Sequence, residues 1–412
     1  MDSGDTAFVL VSAALVFIMT PGLALFYGGL GRRKNMVNNV MASTFIMGLA
    51  MVMWILCGYS LAFGGNTGGI IGTLNNIGLN GINMSDPSAY ADNLPSLAFV
   101  GFQMMFAVIT PALITGSVAG RMRFKALFIF IALWSIVVYY PMAHMVWGEG
   151  GLLGGGWLNS VDFAGGNVVH ISSGVSGLVL CIILGRRIGY ENVSYRIHHV
   201  PFVALGMALL WFGWFGFNAG SALGANDLAA HAFVTTAISA AAALLSWMVI
   251  DTIKHKKTTL IGACTGVIIG LVAITPGAGF VPVWASMIIG FVASPVCYIG
   301  ISLVKRTLKI DDALDTFGCH GIGGMWGGVA TGLFADPNVS GVAGLLFGDA
   351  HQFAAQLISI VITIIVATVG TLICVGITRL FTQLRVERRD ELMGMDVSQH
   401  GETAYPSFNG LD

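Results

Sequence analysis

Four ionisable residues stand where so apolar a chain has least reason to keep them: Asp162, His170, Asp315 and His320, each inside or at the entrance of a long apolar stretch. A charged group at the centre of a membrane helix costs about 2.5 to 3.5 kcal/mol even on the lenient insertion scale, so residues held there mark pathways for ions or protons, or bonds between helices. His144 is a fifth, weaker case. His170 is followed by Ser173, Gly174 and Gly177, and His320 by Gly323, Gly324, Gly327, Gly328 and Thr331. At helical spacing these small residues share a face with the imidazole, which therefore looks onto a close helix contact or a narrow cavity. Either histidine alone reads as a structural group bonding a neighbouring helix, whereas two at matching places read as lining a shared polar path. A metal site made from both histidines and a carboxylate is the competing chemistry. Zinc usually takes three or four ligands, and the His-x3-His or Glu-x-x-His spacing that supplies them is absent from these spans, so neither metal nor cofactor is expected.

Aromatic residues supply the second pattern, in Phe102-Gln103-Met104-Met105-Phe106 and Trp211-Phe212-Gly213-Trp214-Phe215-Gly216-Phe217. Core packing and interfacial belts account for most such residues. Phe102 and Phe106 nevertheless share a helix face, as do Phe217 and Ser221, and Trp147 and Ser221 close their spans on the same side of the membrane. An indole face attracts a cation by about 0.5 to 2 kcal/mol, and a hydroxyl accepts one N–H bond. The combination suits a small, tetrahedral cation that donates hydrogen bonds.

The elements that must hold these groups follow from composition. Of 412 residues, 56% are hydrophobic and 9% charged, against a charged share of about 25% in soluble domains. Apolar runs of the roughly 20 residues a bilayer demands begin near Thr6, Val37, Ser96, Ala126, Gly166, Pro201, Ala229, Leu260, Pro282, Thr316 and His351. All 19 Lys and Arg residues fall after odd-numbered spans: Arg32, Arg33 and Lys34; Arg121, Arg123 and Lys125; Arg186, Arg187 and Arg196; Lys254, Lys256 and Lys257; Lys305, Arg306 and Lys309; and Arg379, Arg385, Arg388 and Arg389. Basic loops stay in the cytoplasm, so the N-terminus is expected outside and the C-terminus inside. The expected fold is an all-α polytopic membrane protein of eleven transmembrane helices, an inverted five-plus-five repeat with a final helix. Met1 to Asp5 lacks the basic n-region of a cleavable signal, so the first apolar run reads as span one. Cys57, Cys181, Cys264, Cys297, Cys319 and Cys374 read as buried free thiols.

The repeats are expected at about 6–199 and 200–334, the final helix at about 351–381 within a membrane domain of 1–381, and a cytoplasmic tail at 382–412. Asp162 precedes His170 where span five enters from one face, and Asp315 precedes His320 where span ten enters from the other. At 1.5 Å per residue His170 lies about 12 Å beyond Asp162 and His320 about 7.5 Å beyond Asp315, so both reach toward mid-membrane, where inverted repeats place their working site. The polar tail reads either as a disordered end or as a docking element.

Four segments carry a resemblance: Asp162-Phe-Ala-Gly-Gly-Asn-Val-Val-His170, Gly213-Trp-Phe-Gly-Phe-Asn-Ala-Gly-Ser221, Ala273-Ile-Thr-Pro-Gly277 and Asp315-Thr-Phe-Gly-Cys-His320-Gly. Over nearly its whole length the chain resembles the Amt/Mep/Rh ammonium transporters, microbial Amt branch. The resemblance implies transport of ammonium or ammonia, not enzymatic turnover. It implies an external ammonium site of Trp147, Phe106 and Ser221, with Phe102 beside it and Asp162 behind it. Phe106 and Phe217 would form a gate, and His170, His320, Trp214 and Thr275 would line the pore. A homotrimer in the cell membrane, binding PII-class signalling proteins on its cytoplasmic face and no nucleic acid, is implied as well. The tail Gly394–Tyr405 is similar to the family's ordered C-terminal element. Glu149 departs from the expected glycine and reads either as a cation-concentrating or as a solvated charge. An ammonium sensor acting through the tail is the alternative function.

Overall fold

The computed structural model describes residues 1–190 and 197–406, so Arg196 and residues 407–412 of the tail lie outside the described residues. Long helices account for most of the chain: α1 (Ser3–Leu30), α2 (Arg33–Phe63), α3 (Ser96–Val118), α4 (Phe124–Trp147), α5 (Gly166–Leu184), α6 (Val200–Ala222), α7 (Asp227–His255), α8 (Leu260–Ile274) and α9 (Val283–Thr307). α10 is a wide π-helical turn, Phe317–Ile322, that continues as Gly323–Phe334, and α11 is Ala350–Phe381. Among the described residues nine helices are long and apolar enough to cross a membrane; α8, at 15 residues, and the glycine-rich α10 fall short of that measure. Their starts lie within a few residues of the apolar runs read from the sequence.

Local chemistry sets the helix ends. Asp2, Asn226 and Asp349 each accept a backbone N–H from the first turn of α1, α7 and α11, satisfying donors that no helix can bond internally. The connection from α2 to α3 carries a small hairpin, β1 (Pro87–Ser88) against β2 (Ala91–Pro95). The described Lys and Arg residues gather at the opposite ends of the helices from the N-terminus, and this end is called the basic face below.

Lipid offers apolar surfaces no reason to associate, so packing in such a bundle rests on close fit. The decisive approach joins α5 to α10. A Cβ on Gly174 would press into the backbone of Gly321, one residue beyond His320. The six cysteines are free thiols, five of them buried and Cys57 half-buried.

Beyond α11 the chain does not trail away. The short helix α12 (Arg388–Met393) and residues 394–405 lie against the basic-face loops. Asp396 accepts the Asn38 N–H at 2.8 Å at the start of α2, Met395 N–H donates to Asn35 at 3.0 Å, and Tyr405 pairs with His198 at 3.3 Å. Glu391 accepts the Ile188 N–H at 2.6 Å and an Arg385 bond at 2.8 Å. Of the two readings of the tail, the disordered one is overturned through Tyr405. Nearby, Asp311 receives three bonds from Arg187, two from the guanidinium at 2.6 and 2.8 Å and one from the backbone N–H at 2.8 Å, beside the buried Arg121. Burial alone would raise the Asp311 carboxyl, but the Arg187 bonds and the Arg121 charge outweigh it and hold it below the ordinary range.

Candidate functional site

The entrance of α5 is built by one carboxylate. Gly165 takes a left-handed turn at φ 116°, and Asp162 then accepts the N–H groups of Gly165, Gly166 and Asn167 at 2.6 to 2.9 Å. Its own carbonyl accepts the Trp147 indole N–H at 2.9 Å. The carboxylate of Asp162 is therefore spent on its helix, and its place is behind Trp147 rather than among the groups that face the opening.

Asp315 was expected to be its counterpart ahead of His320, and the structure assigns that task to Asp312 instead. Asp312 accepts the Phe317 N–H at 2.8 Å and the Ser117 hydroxyl at 2.9 Å. Asp315 takes a left-handed conformation, φ 61°, which aims it at Lys305, 2.6 Å away and half-exposed. The matching carboxylates each stand eight residues before their histidine, and that equal spacing is the signal that separates Asp312 from Asp315.

From these two anchored ends, α5 and α10 carry their histidines to one point. His170 Nδ1 and His320 Nδ1 are 3.2 Å apart, with ring centroids at 5.3 Å. Both rings are buried, and His170 Nε2 has no partner among the described residues. Trp214 stacks on His170 at 5.3 Å, and Phe217 lies 6.1 Å from it. Around them is a narrow cavity of about 20 Å³, whose other walls include Leu113, Leu210, Ile268 and Tyr27. That is room for about one water-sized molecule.

Above this lumen Phe217 stacks on Phe106 with centroids 4.2 Å apart and planes inclined by 25°. Phe102 meets Phe106 edge-on at 5.0 Å, and Trp147 meets it edge-on at 5.9 Å. All three phenylalanines are buried. Beyond the stack opens a vestibule of about 300 Å³ lined by Gln103, Trp147, Ser221, Tyr90 and neighbouring apolar groups. The Ser221 hydroxyl donates to the Phe217 carbonyl at 2.9 Å, which leaves its oxygen able to accept from a donor. On the basic face a second vestibule of about 250 Å³ reaches up to Cys319 and is bordered by Arg32, Lys305 and Asp315.

The sequence matches the Ammonium Transporter Family over residues 7–405. An ammonium transporter of Bacillus subtilis is 48% identical over 98% of this chain and 99% of its own length. The solved Saccharomyces cerevisiae Mep2 is similar in structure at a TM-score of 0.87 and 37% identity, covering 95% of this chain and 89% of that one. A solved sensor Amt protein is similar at 0.88 and 26% identity, covering 96% and 98%. The chain belongs to the Ammonium Transporter Family. It is a multi-pass membrane protein.

For a member of this family, one residue read from the sequence stands elsewhere than expected. Thr275 does not line the lumen: its hydroxyl accepts the Trp214 indole N–H at 2.9 Å and donates to Leu271 at 2.8 Å, so it holds Trp214 in place from behind. Of the Trp211–Phe217 cluster, Trp214 and Phe217 face inward, whereas Phe212 is exposed and Phe215 stacks on Phe233 of α7. His144 is a satisfied buried group bonded to Ala62 and Asn66 at 2.9 and 3.3 Å. Glu149 is exposed beside the vestibule, its N–H donating to Tyr90 at 3.3 Å. Gln103 and the apolar lumen wall were missed. Gln103 lay inside a cluster read for its aromatics, and Leu113, Leu210 and Ile268 have no sequence feature that separates them from packing residues.

Proposed function

We propose that the protein carries ammonium nitrogen inward across the cell membrane through this lumen, with eleven crossings, an inverted repeat at about 6–199 and 200–334, a final crossing at about 351–381, the N-terminus outside and the tail of 382–412 in the cytoplasm. The observation that carries the reading is the lumen itself: about 20 Å³, closed by the Phe106–Phe217 stack and crossed by two imidazoles.

A cation entering so small an apolar space must leave its water behind, and the cost of stripping a full charge is several kcal/mol even after relaxation. Neutral ammonia avoids that cost. In this mechanism ammonium is recruited against the Trp147 and Phe106 faces and the Ser221 oxygen, with Phe102 alongside. It gives up one proton, and ammonia passes the Phe106–Phe217 constriction. The molecule then moves along His170, His320 and Trp214, the histidine pair taking part in moving the proton, and ammonia regains a proton in the basic-face vestibule. Potassium has no proton to shed and no hydrogen bond to give, so the same constriction rejects it. The family resemblance supports a homotrimer and a PII-class partner on the tail face.

Sensing through the tail is the other class of function, and the 48% identity to a transporter against 26% to a sensor favours transport. One experiment tests both. Purified protein in liposomes is expected to give an ammonium-driven current with potassium excluded, and the joint variant His170→Ala with His320→Ala is expected to lose it. Saturable ammonium binding without any flux in the unaltered protein would sink transport, and an intact current in the joint variant would sink the role given to the histidines.

A further inference from the structure

The vestibule above the phenylalanine stack holds one polar side chain that nothing in the described structure engages. Gln103 stands on α3 between Phe102 and Phe106 and is 9% exposed. Its carboxamide makes no hydrogen bond to any described residue, and its Oε1 is buried without a partner. Buried amides are nearly always bonded, because an unmade bond forfeits what water had supplied.

The other polar groups of that lining are committed as donors. Trp147 gives its N–H to Asp162, Ser221 its hydroxyl proton to Phe217, and Tyr90 its proton to Phe63. Apart from the amide N–H groups of Gln103 itself, what the vestibule keeps for a guest is therefore acceptor capacity. An ammonium ion brings four N–H donors and no lone pair, so it needs oxygen atoms on more than one side. Ser221 offers one. The only side-chain carbonyl oxygen in the described lining belongs to Gln103, and the broad terminal torsion of a glutamine lets the amide turn it toward the opening.

We propose that Gln103 is a specificity-determining residue of the outer vestibule: its carboxamide oxygen accepts an N–H from the incoming cation opposite Ser221, and so favours ammonium over N-methylated ammonium, which has one donor fewer. The inference rests on the transport reading above. It adds no charge to the site. A neutral acceptor holds the cation without trapping it, and the ion must leave again for the lumen.

Gln103→Met keeps the length and flexibility of the side chain and removes the acceptor; Gln103→Glu keeps an acceptor and adds a charge. Currents are measured in proteoliposomes over a concentration series of ammonium and of methylammonium. Gln103→Met is expected to raise the half-saturating ammonium concentration about tenfold, equivalent to about 1.4 kcal/mol of binding. The methylammonium value should move less, and the maximal ammonium current should stay within about twofold. A structural role alone would change the amount of active protein, hence the maximum, and not the preference between the two ions. Gln103→Glu is expected to lower half-saturation, most clearly at low ionic strength, because a carboxylate on the lining attracts the cation while keeping an acceptor. Superimposable curves for Gln103→Met, or a change confined to the maximal current, would overturn the proposal. If Gln103→Met does not assemble, Gln103→Glu decides alone, and an unmoved half-saturation at low salt overturns it. Absence of current in the unaltered protein sinks the transport reading, whereas a normal current with unmoved variants sinks only the role of Gln103.

Discussion

His170 and His320 meet through like atoms, Nδ1 to Nδ1 at 3.2 Å, with ring planes inclined by 23°. Two neutral imidazoles bond this way only when one carries its proton on Nδ1 and the other on Nε2, so the tautomer of each ring dictates that of its partner. Removing either ring disables the shared unit. His170→Ala and His320→Ala are each expected to lower the initial ammonium current at least tenfold, about 1.4 kcal/mol in the barrier. The joint variant should be no worse than the poorer single one, the signature of groups acting together. Losses that multiply in the joint variant would show two independent histidines.

The carboxylates at the entrances of α5 and α10 make a second, paired prediction. Asp162 satisfies three backbone N–H groups, and Asp312 one backbone N–H and the Ser117 hydroxyl. Asp162→Ala and Asp312→Ala strand those buried donors and should each destabilise the protein by on the order of 3 kcal/mol, since bonds to charged acceptors contribute about 1.5 to 3 kcal/mol. Asp315→Ala breaks a pair whose side chains are 31% and 32% exposed, and such pairs contribute about 0 to 1 kcal/mol. Thermal inactivation in detergent ranks the three. A loss for Asp315→Ala as large as that for Asp312→Ala would undo the assignment.

The confusion between those two aspartates shows where sequence reasoning stops. Apolar runs and the placing of Lys and Arg are one-dimensional signals, and they located the helices. The histidines were legible because an ionisable group in an apolar run has few other reasons to be there. In Asp311-Asp312-Ala313-Leu314-Asp315, three acids fall within five residues and differ only in backbone direction: one turns to Arg187, one back to α10, one to Lys305. That direction depends on a left-handed φ at Asp315 and on partners from distant helices. The lumen wall was hidden for a related reason. Leu113, Leu210 and Ile268 come from three helices and resemble any packed aliphatic until the helices are assembled.

Gly174 allows the meeting of the histidine helices, because any side chain there runs into the Gly321 backbone. Backbone cannot retreat as a flexible side chain can, so Gly174→Val must push α5 from α10 and separate the imidazoles. Overpacking of this kind costs about 1 to 3 kcal/mol. The expected outcome is a folded but less stable protein whose ammonium current falls as far as in His170→Ala. Gly376, whose Cβ would meet nothing within 4 Å, is the control, and Gly376→Ala should transport normally. Full activity in Gly174→Val would mean that the spacing of the histidines is not critical.

The docked tail should respond to pH through His400. The ring stacks edge-on against Phe124 at 4.9 Å, and its Nε2 pairs with Asn38 at 3.1 Å, beside Asp396 and Glu402. Burial holds the His400 pKa below its ordinary value, outweighing the opposite pull of the Asp396 and Glu402 charges. A group whose pKa is lowered on docking contributes stability above its free pKa of about 6.5 and loses it as pH falls through that value toward the docked one. Asp396 has the opposite sign. Burial raises its pKa despite the N–H groups it accepts, so its protonation favours docking, but only in the acidic range beyond the histidine step. Between pH 7.5 and about 6 the histidine therefore governs, and the tail should loosen. Hydrogen exchange of residues 394–405 is expected to quicken over that interval in the unaltered protein and to stay flat in His400→Gln, which keeps a hydrogen-bonding group without the titration. Equal acceleration in both would place the pH response elsewhere in the loops that hold the tail.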